Sequence, residues 1–117
     1  MVHSTTGKLY HVSTSGVAQE VTLTTAAGVV YSVAGGDGLL LVENKMYVVI
    51  GYANLVAVFD MDPSNPLMGV ESKTVGDPDL DEVTTIAKVA DRFYGVNARF
   101  AVAPPTQYDV VLIPDLP

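Results

Sequence analysis

Six residues, Asp77-Pro78-Asp79-Leu80-Asp81-Glu82, form the densest acidic cluster in the chain. Carboxylates at the first, third and fifth positions suit a calcium-binding loop. Such a loop then needs glycine at its sixth position, for the turn, and a bidentate glutamate at its twelfth. Here those positions hold Glu82 and Lys88, so the pattern fails at both. The cluster reads instead as a capped, dipole-matched helix start, with at most a weak adventitious calcium contact at Asp77–Glu82. Asp60-Met61-Asp62 has the spacing of a metal-binding carboxylate pair. It runs into Asp62-Pro63-Ser64-Asn65-Pro66 and reads as a strand end entering a turn. Gly35-Gly36-Asp37-Gly38 has the composition of a phosphate cradle. A cradle opens a helix whose amides face the anion, whereas this one opens the apolar run Leu39-Leu40-Leu41-Val42 and reads as a hairpin turn.

Nucleophiles and metal ligands are scarce. The chain has no cysteine and two histidines, His3 and His11. Without a third histidine or a thiolate, a catalytic zinc site is hard to assemble. Neither GxSxG nor SxxK occurs. His11 could join a triad only with a serine and an aspartate brought from elsewhere in the fold. Tyr10, Tyr31, Tyr47, Tyr52, Tyr94 and Tyr108 could line a binding platform, but strand tyrosines more often pack sideways and hydrogen-bond at a rim. No catalytic residue, metal or cofactor is expected.

The elements that would position these residues follow from periodicity. Met1–Gly7 is small and polar and is expected to be a flexible arm. Lys8–Ser13 and Gln19–Thr25 alternate as strands do, with threonine on the wet face of the second. Val29–Ala34, Leu39–Glu43, Met46–Ile50, Leu55–Asp60 and Leu67–Lys73 continue the series, separated by turns that include Asn44-Lys45 and Gly51–Asn54. Then the spacing changes. Leu80, Val83, Ile86, Ala87, Ala90, Phe93 and Tyr94 recur every three or four residues, which predicts one helix over residues 78–94. Asp77 would cap it, Pro78 would sit just inside, and Gly95 would stop it. Asn97–Ala103 and Gln107–Ile113, split by Pro104-Pro105, are the last expected strands. Residues 114–117 form an extended tail.

The expected fold is therefore mainly β, in the α+β class. It is an antiparallel sandwich or small barrel of about 7–8 short strands with one helix. One domain spans 1–117, a length within the usual single-domain range of about 100–150 residues. Leu39–Phe59 carries one acid, Glu43, and one base, Lys45, and must be buried in the core or against another subunit. Leu40, Val42, Tyr52 and Leu55 are the residues expected at an assembly interface.

Composition bounds the function. Hydrophobic residues make up 49% of the chain and charged residues 16%, against about 25% charge in ordinary domains. A formal charge of −7 and a lack of basic clusters argue against nucleic-acid binding. No stretch reaches the ~18 apolar residues of a membrane helix, and the opening residues lack the pattern of a signal peptide. In its general style (short, cysteine-free, β-rich, with loose ends) the chain resembles small virion proteins of tailed phages, of the capsid decoration or head–tail type. That resemblance implies a homo-oligomer, a trimer or another symmetric form, attached to a capsid shell and located in the virion; outside a phage the location would be cytoplasmic. The functional expectation is a non-enzymatic, self-associating structural protein. The alternative is a β module that binds a small molecule or glycan.

Overall fold

The computed structural model describes residues 1–103 and 107–117. Ten strands are present among them: β1 (Val2–His3), β2 (Lys8–Val12), β3 (Ala18–Thr24), β4 (Gly36–Val42), β5 (Lys45–Ile50), β6 (Leu55–Asp62), β7 (Asn65–Gly76), β8 (Val83–Val89), β9 (Arg92–Asn97) and β10 (Asp109–Ile113). The first seven form one sheet in the order β1-β2-β3-β7-β6-β5-β4, and the last three form a second, β10-β9-β8. The fold is mainly β, as the strand periodicity predicts. Among the described residues no helix is long and apolar enough to cross a membrane.

The larger sheet curls into a nearly closed barrel. Its two ends meet through the segments that flank β1 and β4: the Gly35 amide donates to Ser4 O at 2.7 Å, and the Val33 amide donates to Gly7 O at 3.1 Å. A Cβ added at Gly36 would lie 2.7 Å from Val2 Cγ2 and 2.7 Å from Val33 O, so only glycine fits at this closure. Inside the barrel Leu9, Val21, Leu23, Val33, Val48, Ala57, Phe59 and Met61 form one core, with Tyr31 edge-on to Phe59 at 5.1 Å between ring centroids.

The second sheet covers the opposite face of β4, β5 and β6. Tyr47, Val49, Val56 and Val58 meet Val83, Ile86, Phe93, Ile113 and Leu116 in a separate core. Tyr47 and Phe93 have ring centroids 4.8 Å apart. Gly38 lets the two sheets approach, since a Cβ there would lie 2.6 Å from both Thr84 O and Thr85 Cα. The glycine cluster thus serves close backbone packing. The turn lies one step earlier, at Ala34-Gly35, and Gly36–Gly38 already belongs to β4. Each large side chain buried in these cores stabilises the fold by about 1.5–3 kcal/mol.

The helix expected at residues 78–94 is absent; those residues form a turn and then the β8–β9 hairpin. Val83, Thr84, Thr85, Ile86 and Val89 are β-branched and suit a strand. A bulge between Val83 and Thr85 inserts one extra residue opposite β9. It places Val83 and Ile86 on the same inward face, three residues apart. A bulged strand therefore reproduces the helical spacing. Asp77 does act as a cap, but of one turn: its carboxylate accepts the Asp79 amide at 2.9 Å, and its carbonyl accepts the Leu80 amide at 3.0 Å. Gly95, expected as a helix stop, is buried in the middle of β9.

Other boundaries also move. Asn97–Ala103 is not a strand; β9 ends at Asn97 and a turn follows. The Pro104-Pro105 break lies outside the described residues. Val29–Ala34 contributes only an isolated bridge, Val30 to Thr24. Asn65 and Pro66 open β7 instead of extending a loop. The β4–β5 hairpin turns at Glu43-Asn44, with Glu43 left-handed at φ 54°, and Lys45 already pairs with Val42. Met1–Gly7 is not a free arm: Val2 pairs with Leu9, and His3 with Lys8. The C-terminal tail docks, with Leu116 buried and the Pro117 carbonyl accepting the Tyr47 hydroxyl. All strand pairs among the described residues are antiparallel except β3–β7, which is parallel from Thr22–Met68 to Thr24–Val70.

Phe93→Ala is expected to lower stability by about 3–5 kcal/mol in urea unfolding, because it empties the centre of the inter-sheet core. The far-UV circular dichroism of the parent protein should be of β type. A helical double minimum together with a near-neutral Phe93→Ala would contradict this placement of residues 83–97.

Candidate functional site

The acidic cluster serves as structural cement. The Asp81 amide donates to Asn97 Oδ1 at 2.9 Å, and Asn97 Nδ2 donates to Asp79 O at 2.8 Å. Asn97 is fully buried and fixes the β7–β8 connection against β9. Asp81 Oδ2 accepts Arg99 Nε at 3.0 Å, and Arg99 also reaches Asp109 Oδ2 at 2.9 Å. Glu82 Oε2 accepts the Ala101 amide at 2.6 Å, and its own amide donates to Asn54 Oδ1 at 2.7 Å. These carboxylates are spent on chain contacts. Among the described residues no group of three His, Asp or Glu side chains is arranged to hold a metal ion.

Asp60-Met61-Asp62 is likewise divided by the strand. Asp60 pairs with Lys45, its register partner, and Asp62 accepts both the hydroxyl and the amide of Ser64, at 2.7 and 2.8 Å. Met61 between them points into the barrel core. The tyrosines do not gather into a platform. Tyr47 is in the inter-sheet core, where burial pushes its phenol above the usual value. Tyr31 packs on the barrel core, and Tyr10 lies at one barrel end. His3 Nδ1 accepts the Thr6 amide at 3.3 Å within the β1–β2 turn.

Of the residues expected at an interface, Leu40 and Val42 pack into the inter-sheet core and Leu55 is half-buried in β6. Tyr52 stands free at 86% exposure. The long apolar run is covered mainly by the chain itself: Tyr47, Val48, Val49 and residues 56–59 are 0–1% exposed.

Two surfaces stand out. The first is the outer face of β8–β10. The register sets Val110 beside Val96 and Thr85, and Leu112 beside Tyr94 and Ala87, with Val89 beside Arg92 at the end. Val89, Val110 and Leu112 are 62%, 63% and 43% exposed. Apart from Arg92, these positions carry no charge. Periodicity could not reveal this face while residues 78–94 read as a helix, since the alternation that defines it belongs to a sheet.

The second surface is a cavity of about 350 Å³ at one end of the barrel. Leu9, Val21, Met46 and Met61 line it, beneath a rim that carries Leu41, His11, Glu43 and Asp62. His11 and two carboxylates thus share one cleft, the arrangement that would favour catalysis if they were coupled. Among the described residues no hydrogen bond joins His11 to Glu43 or Asp62, so no base is oriented by an acid. The Ser64 hydroxyl, with help from its amide, holds the Asp62 carboxyl below the ordinary aspartate range.

In a carboxylate NMR titration Asp62 should therefore titrate below an ordinary aspartate, and Ser64→Ala should raise it. The sign follows from linkage: this contact favours the folded state above the unfolded aspartate pKa, and the benefit disappears as pH falls through the depressed folded value. An unchanged Asp62 titration in Ser64→Ala would contradict the assignment.

No family model, curated protein or solved structure matches this chain. Its own surfaces are what bear on its function.

Proposed function

We propose that this protein is a non-enzymatic structural component that self-associates through the outer face of β8–β10 and, in that state, attaches to a larger protein assembly. A virion decoration or head–tail role is the form of this proposal that the chain's general style suggests. The observation that carries it is a solvent-facing sheet surface of valine, leucine, tyrosine, alanine and threonine in a strongly acidic protein.

Charge explains why this face suits a second copy. Two chains of formal charge −7 repel one another, so contact is cheapest where acids are absent. Among the paired positions of the outer face the only charge is Arg92. The second sheet also ends in β8 on one side and β10 on the other, with no further strand paired to either among the described residues. Edge strands are natural templates for pairing between chains. Three strands about 4.8 Å apart and about six residues long cover on the order of 300 Å², within the size range of functional apolar patches. A stable interface takes about 800 Å² per partner, so this face would form the apolar centre of a wider contact.

Sedimentation equilibrium should show a self-associating species at micromolar concentration. Val110→Asp/Leu112→Asp should yield a monomer with a nearly unchanged melting temperature, because both side chains face solvent. A parent protein that stays monomeric up to about 100 µM, where even a weak interface would show, would contradict the proposal.

A further inference from the structure

We infer that the barrel-end cavity is a binding site for a small organic ammonium compound, an apolar body carrying one cationic head. This reading is independent of the association face, which lies on the other sheet.

Three features of the cavity select this class. Its volume of about 350 Å³ lies at the small end of ligand sites, which begin at about 300 Å³. Its floor is aliphatic and thioether: Leu9, Val21 and Met61 are members of the barrel core, and Met46 packs against them. Methionine adapts its shape to an apolar guest at little cost. A glycan would call for polar groups across the floor as well as the rim, whereas Leu9, Val21, Met46 and Met61 offer none.

The rim then sets the charge. Glu43 lies in the β4–β5 turn and Asp62 is the last residue of β6, and the two are brought together by the Met61 amide donating to Asn44 O at 2.7 Å. Glu43 makes no ion pair among the described residues. Among the described residues no lysine or arginine lines the cavity. The Met1 ammonium, also in the lining, is turned onto Tyr10 O at 2.8 Å, and His11 makes no ion pair with either acid among the described residues. Leu41, 58% exposed beside Glu43, places an uncovered apolar side chain next to an uncompensated acid. A guest with an alkyl body and an ammonium head satisfies both at once.

The test uses the full chain labelled at its methionine methyl groups and three probes of equal chain length: n-octylamine, 1-octanol and octanoate. n-Octylamine should shift the Met46 and Met61 methyl resonances and leave Met68, which lies outside this cavity, unmoved. It should bind about threefold to tenfold more tightly than 1-octanol, as one or two solvent-exposed charge pairs allow. Octanoate should bind weakest. Glu43→Gln/Asp62→Asn should abolish the preference for the amine while leaving 1-octanol binding intact, which separates lost charge from lost fold. Octanoate binding as tightly as the amine, equal affinity for amine and alcohol in the parent protein, or no shift at Met46 and Met61 with any probe would each overturn the inference.

Discussion

Both faces of β5 and β6 are apolar, and each requires its own cover. Along β5, Tyr47 and Val49 face one side while Met46, Val48 and Ile50 face the other. Along β6, Val56 and Val58 oppose Ala57, Phe59 and Met61. An antiparallel sheet commonly leaves one face to water, but these strands cannot. The chain answers with two devices. Its first three strands curl round one face to make the barrel, and its last three strands close the other. The parallel pairing of β3 with β7 belongs to the first device, since it brings the N-terminal strands back to the far edge of β6 and β7.

The second cover is held by polar contacts at its margin as well as by its core. Asn97, with no exposed surface, ties the β7–β8 connection to β9 through two backbone partners. Arg99 bridges Asp81 and Asp109 and so links that connection to β10. Exposed ion pairs are individually worth about 0–1 kcal/mol, so Arg99 chiefly sets geometry while Phe93, Ile86 and Ile113 supply most of the stabilisation. The acidic residues that look most like a metal site in sequence are the same residues that anchor this cover.

How much of this was legible in the sequence depended on whether a residue's pattern had one structural cause or two. Alternation at Lys8–Val12, and the apolar runs at Leu39–Val42, Met46–Ile50 and Leu55–Asp60, belong to strands close to where they were expected. Burial of Leu39–Phe59 was also legible, though not the source of its cover, because both covers come from distant segments. The spacing Leu80, Val83, Ile86, Phe93 had two possible causes, a helix or a bulged hairpin. Asp77-Pro78 favoured the first, since an aspartate cap looks the same before one turn as before four. The β-branched run at Val83–Ile86 was the opposing signal. Neither candidate surface was legible as a whole: the outer face needs the β8–β9 register, and the cavity joins residues from six strands and two hairpin turns.

Within a single chain, β8–β10 cover the inter-sheet core. Native-state hydrogen exchange, read amide by amide on a dilute monomer, tests it most directly. The β5 and β6 amides should exchange only through global unfolding. Amides that bond across the β8–β9 ladder, such as those of Ala87 and Tyr94, should be strongly protected as well. Rapid exchange throughout residues 83–97, with β5 and β6 still protected, would show that the second sheet is not the cover.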